Sequence, residues 1–129
     1  MSDHKTVLLV DDDVDFLEAN RIALEARGLK VLTASQSRTG AQMAQGQAPD
    51  LIVLDLMMER MDSGFSLLEE LSSYKTTRDI PVLMVSAIVS SEDDNLFPSR
   101  EDGRVDAFMS KPLDPSALLH RVAELMHAA

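Results

Sequence analysis

The sequence predicts an α/β fold, a doubly wound five-stranded parallel sheet with helices on both faces. Five short apolar runs alternate with amphipathic or polar stretches, the strand–helix order of a sheet built from right-handed crossovers. The runs are continuously apolar and do not alternate with polar residues, as expected of strands whose two faces are both covered by helices.

Val7 to Val10 reads as the first strand, Lys30 to Ala34 as the second and Leu51 to Leu54 as the third. Val82 to Val85 reads as the fourth, and Ala107 to Met109 as a shorter fifth. In the first intervening helix Phe16, Ala19 and Ala23 fall at helical spacing, and Gly28 supplies the stop. Gln36 to Gln47 is a weaker helix carrying Ala41, Met43 and Ala44, and Phe65, Leu68 and Leu71 mark a third. The last is the clearest. Asp114 caps it, Pro115 takes its first position, and Leu118, Leu119, Val122, Leu125 and Met126 form one face. Between strands four and five, residues 90–104 offer only Leu96 and Phe97 as large apolar side chains, followed at once by Pro98. A proline in a helix interior costs about 3 kcal/mol, so a short helix or an irregular loop is expected there.

With 129 residues, 45% of them apolar and 26% charged, the chain has the size and composition of a single domain over residues 1–129. The 22 acidic residues outnumber the 12 basic ones, for a formal charge of −10. No cluster of Lys or Arg offsets this, which disfavours direct contact with nucleic acid. The absence of Cys excludes disulfides and thiolate metal sites. His4, His120 and His127 lack metal-ligand spacing and read as solvated surface. The N-terminal apolar run is far too short for a signal or membrane segment, so a cytoplasmic protein with no membrane insertion is expected. The last helix runs to the C-terminus, so a stand-alone domain without an output domain is expected.

Sites in such sheets form beyond the C-terminal ends of the strands. After strand one come Asp11, Asp12 and Asp13; after strand three, Asp55; after strand four, Ser86 and Ala87; after strand five, Lys111. If strands one and three are neighbours, Asp11, Asp12 and Asp55 converge, and three crowded carboxylates need a counter-charge. A hard divalent cation such as Mg²⁺ supplies one, and Mg²⁺ with the Lys111 ammonium balances the three formal charges. A single Asp at a strand end is ordinarily a helix N-cap, and Asp13 or Asp15 fits that role. Capping does not explain an Asp pair, an Asp, a hydroxyl and a Lys at four separate strand ends.

Together, VLLVDDD, LIVLDLMM, PVLMVSA and FMSKPLDP resemble the response-regulator receiver domains of two-component signalling over nearly the whole chain. The resemblance implies a flavodoxin-like fold with strand order 2-1-3-4-5. It implies that Asp55 is the phosphoacceptor and that Asp11 and Asp12 are the acidic pair, Asp12 being the direct Mg²⁺ ligand of the two. Met57 would lend the metal its backbone carbonyl. Ser86 matches the hydroxyl that meets the phosphoryl group, Ala87 the small residue beside it, and Lys111 the charge-neutralising lysine. Pro112 matches the proline that is commonly cis, and Phe108 the aromatic switch. The implied partners are a sensor histidine kinase or phosphotransfer protein and an unnamed downstream protein. A second copy of the chain is a further candidate.

The sequence departs from the family where Glu59 stands in place of the usual proline, where Ser63 adds a residue before Gly64, and where the stretch from Ser86 to Lys111 is longer. These departures motivate a second reading, a receiver-fold interaction module without a phosphorylation cycle. Asp11-x-Asp13 after a strand motivates a third, a phosphohydrolase of the haloacid-dehalogenase type, although no late carboxylate pair accompanies it. The cluster Met57, Met58 and Met61 reads as loop packing, and Tyr74 as an exposed helix-end residue. Met57 and Ile88 offer no side chain to orient an attacking water, so slow self-dephosphorylation is expected.

Overall fold

A computed structural model describes residues 5–55, 63–86, 106–111 and 114–128, side chains at 63–65 and 127–128 excepted. Five strands, β1 (Thr6–Val10), β2 (Lys30–Ala34), β3 (Leu51–Asp55), β4 (Val82–Ser86) and β5 (Ala107–Ser110), form one parallel sheet in the order β2-β1-β3-β4-β5. Four described helices accompany them: α1 (Val14–Glu25), α2 (Ser37–Gln47), α3 (Ser63–Ser73) and α4 (Pro115–Ala128). The segment 90–104, expected to be weakly helical, lies outside the described residues.

The period-two pleat sorts the strand side chains into two cores. Leu8, Val10, Ile52, Leu54, Val82 and Met84 meet Ala41 and Ala44 of α2 and Leu67, Leu68 and Leu71 of α3. Val7, Leu9, Leu51, Val53, Leu83 and Val85 meet Leu17 and Leu24 of α1 and Leu118 and Val122 of α4. Both faces are therefore covered, which is why the strands could be apolar throughout. A fully buried Leu or Val contributes roughly 1.5–3 kcal/mol, so these two layers dominate the stability.

The apolar face of α1 differs from its expected position. Leu17, Asn20 and Leu24 are its buried residues, whereas Ala19 is exposed and Phe16 and Ala23 are half-buried. The two stripes differ by one residue, and a polar Asn20 disguised the true one. Asn20 is tolerated there because its Nδ2 donates to the Phe16 carbonyl at 2.8 Å. Helix α1 ends as expected, with Gly28 in the left-handed region at φ 86° and its N–H bonded to the Glu25 carbonyl. In α2, Gly40 allows close approach to β1, since a Cβ there would lie 2.9 and 3.0 Å from the Val10 methyls. In α4, Asp114 caps as expected, its Oδ1 accepting from the Ser116 N–H at 3.3 Å.

Two carboxylates serve the opposite, N-terminal edge of the sheet. Asp50 Oδ2 accepts from the Thr6 N–H at 2.7 Å, and Asp106 Oδ2 from the Val82 N–H at 2.9 Å. They are consumed by backbone donors and tie adjacent strands together. The acids at the C-terminal strand ends are arranged differently.

Candidate functional site

The sheet pleat decides which side chains meet at the C-terminal edge. Asp11 continues the alternation of Val7 and Leu9, Asp55 that of Leu51 and Val53, and Lys111 that of Ala107 and Met109. The ladder persists one residue beyond two strands: the Asp11 N–H donates to the Ala34 carbonyl at 3.0 Å and the Lys111 N–H to the Ser86 carbonyl at 2.9 Å. All three side chains thus emerge on the α1/α4 side. Ser86 continues Val82 and Met84 toward the opposite side, where Phe108 is half-buried against the α2/α3 core.

The expected convergence occurs. One carboxylate oxygen each from Asp11, Asp12 and Asp55 lie within 4.8 Å of one another. Asp11 and Asp55 are buried, with 1% and 5% exposure, while Asp12 faces solvent. Lys111 Nζ lies 2.6 Å from Asp11 Oδ2 and 3.6 Å from Asp55 Oδ2. Burial pulls the Lys111 pKa down, but the Asp11 hydrogen bond and the charges of Asp11, Asp55 and Asp13 outweigh it. The pKa therefore stands above its ordinary 10.5, and the ammonium is charged throughout the physiological range.

The two members of the acidic pair are not equivalent. Asp11 Oδ1 accepts the Asp13 N–H at 2.9 Å and its Oδ2 faces Lys111, so Asp11 is already engaged on both oxygens. Asp12, by contrast, is exposed to solvent. Asp13 is a helix cap, its Oδ1 accepting from the N–H groups of Asp15 at 3.1 Å and Phe16 at 3.2 Å.

A donor set of hard carboxylate oxygens beside a fixed ammonium suits Mg²⁺, which takes oxygen ligands and keeps several waters. Ser86 is fully buried at the end of β4. Met57, Ala87, Ile88 and Pro112 lie outside the described residues, as do Met58, Glu59 and Met61. Tyr74 is 41% exposed just beyond α3, and His120 is exposed, both as read from the sequence.

Residues 7–123 match the family model of the response regulator receiver domain.

The chain belongs to that family.

The phosphate regulon transcriptional regulatory protein PhoB of Pseudomonas aeruginosa is 34% identical over 122 residues, covering 95% of this chain and 52% of PhoB. The response regulator PleD of Caulobacter vibrioides is 38% identical over 123 residues, covering 92% of this chain and 25% of PleD. The chain thus spans about half or less of the length of these relatives. A CheY-like receiver domain protein from Methanospirillum hungatei superposes with a TM-score of 0.83 at 26% identity, covering 97% of this chain and 95% of that one. The Francisella response regulator 1452 receiver domain gives 0.82 at 27% identity, covering 97% and 98%. Receiver domains are signalling switches with an acidic pocket for Mg²⁺. Among the described residues, no helix is long and apolar enough to cross a membrane.

Phe16 is a neighbour of the site that sequence reasoning assigned to the core alone. Lys111 Nζ lies over its ring, 4.5 Å from the centroid. The signal in the sequence was the cap at Asp13, which fixes where α1 begins and hence which residue of its first turn faces β5.

Proposed function

We propose that this receiver domain accepts a phosphoryl group on Asp55 from a phosphohistidine of a histidine kinase or phosphotransfer protein, with Mg²⁺ as cofactor. The observation that carries the reading is the convergence of Asp11, Asp12 and Asp55 around one engaged lysine, Lys111. An Asp55 carboxylate oxygen forms a bond to phosphorus as the donor's P–N bond breaks, the imidazole keeping the electron pair and taking up a proton. Asp12 and Asp55, with the Met57 carbonyl and Asp11 in support, would hold Mg²⁺, which supplies charge neutralisation at the transferring oxygens. Lys111, already 3.6 Å from Asp55, neutralises the same oxygens from the β5 side. Ser86 offers its hydroxyl to the phosphoryl group, and Phe108, on the same sheet face, repacks with it and changes the surface presented to a downstream protein.

Incubation of the protein with acetyl phosphate and Mg²⁺ should raise the intact mass by one phosphoryl group, and Asp55→Asn should abolish the gain. The sequence departures at Glu59 and Ser63 favour a second reading, an interaction module that does not cycle through phosphorylation. It would be supported by an unchanged mass and by no Mg²⁺ binding in the millimolar range.

A further inference from the structure

We infer that Phe16 is a positioning residue for Lys111, and that a closed circuit of contacts through the start of α1 holds the ammonium over the acidic pocket. The circuit can be followed atom by atom. Lys111 Nζ reaches Asp11 Oδ2 at 2.6 Å, and Asp11 Oδ1 accepts the Asp13 N–H at 2.9 Å. Asp13 Oδ1 accepts the Phe16 N–H at 3.2 Å, and the Phe16 ring returns to Lys111 Nζ at 4.5 Å. The Phe16 backbone is fixed at both polar groups, because the buried Asn20 donates to its carbonyl at 2.8 Å.

A lysine side chain has four rotatable bonds, and a carboxylate attracts its ammonium without fixing a direction. An aromatic ring adds direction, because its quadrupole attracts a cation over the ring face and repels it at the ring edge. Lys111 therefore has the Asp11 carboxylate at one flank and the Phe16 ring at another, with Asp55 Oδ2 3.6 Å away. A leucine at position 16 would preserve much of the apolar contact with the α1/α4 core but would supply no quadrupole. The lysine would then sample orientations away from the pocket.

This inference rests on the phosphoacceptor reading, and the experiment separates the two. Wild type, Phe16→Leu and Phe16→Tyr are compared at saturating Mg²⁺. The first readout is the NMR shift of the Lys111 ε-methylene protons, and the second is the rate of phosphorylation by acetyl phosphate. In the wild type the ring current should shift the Lys111 signal upfield; Phe16→Leu should lose that shift and phosphorylate about three- to tenfold more slowly, the range a cation–π contact supplies. Phe16→Tyr should retain the shift and stay within about twofold of the wild-type rate. Thermal unfolding identifies a Leu variant that is merely misfolded, and Phe16→Met, which fills the site without a π face, then carries the comparison and should show the same losses. Wild-type rate and shift in Phe16→Leu would overturn the positioning role, as would an equal loss of rate in Phe16→Tyr. A wild type that takes no phosphoryl group overturns the phosphoacceptor reading and the rate effect with it, whereas a positioning failure leaves wild-type labelling intact.

Discussion

Replacing Asp55 with Asn should stabilise the metal-free protein even though it removes the residue at the centre of the site. The acidic oxygens lie within 4.8 Å of one another, and two unit charges at that separation repel by about 3.5 kcal/mol at an effective dielectric of 20. Asp55 faces two such neighbours, but Asp12 is exposed, so solvent screens roughly half of its share. Against this, the variant loses the attraction to Lys111 at 3.6 Å, about 4.6 kcal/mol on the same scale. The balance favours Asn by roughly 0.5 kcal/mol with screening and by about 2.5 kcal/mol without it. Urea unfolding in the presence of EDTA should therefore show a gain of about 1–2 kcal/mol. Mg²⁺ should narrow the gap. At ten times its Kd it stabilises the wild type by about 1.4 kcal/mol, and it should act less on a variant lacking one carboxylate ligand. A variant less stable than wild type in EDTA, or equal stabilisation of both proteins by Mg²⁺, would refute the electrostatic picture of the pocket.

Gly40→Ala should destabilise the fold by about 1 kcal/mol or more in urea unfolding, because the added methyl meets the stiff Val10 side chain at 2.9 Å. Helix propensity alone expects the opposite sign, so the direction of the effect is diagnostic. Lys111 should give an alkaline limb to the stability profile. Its folded-state pKa is raised, so its contribution is fully present below the ordinary value of 10.5 and is lost as pH rises through the folded pKa. Stability measured from pH 9 upward should fall more steeply in wild type than in Lys111→Met, and parallel profiles would contradict the pairing.

The sheet was legible because each strand is an unbroken apolar run, and parallel strands covered on both faces leave that pattern. Strand ends were less so. Thr6, Asp55, Ser86 and Ser110 belong to strands although they are polar, because backbone pairing continues beyond the apolar side chains. The charged site was readable for a related reason: residues just past a buried parallel strand have few roles other than capping or chemistry. The converging acids were readable, whereas the cap was narrowed only to Asp13 or Asp15, and the structure selects Asp13. Asp13 and Asp11 are two residues apart, and only the start of α1 assigns the first to Phe16 and leaves the second to Lys111. The face of α1 was misplaced by one residue because Asn20 is polar, its cost offset by a bond to the helix's own backbone. Phe16 was missed because its contact with Lys111 joins two segments distant in sequence, and no local pattern encodes that.

The most direct test of the central claim is intact-mass and peptide mapping of the protein after incubation with acetyl phosphate and Mg²⁺. One phosphoryl group should appear, located on Asp55, absent in Asp55→Asn and absent when EDTA replaces Mg²⁺. An unchanged mass in the wild type, or a phosphoryl group that persists in Asp55→Asn, would contradict the account.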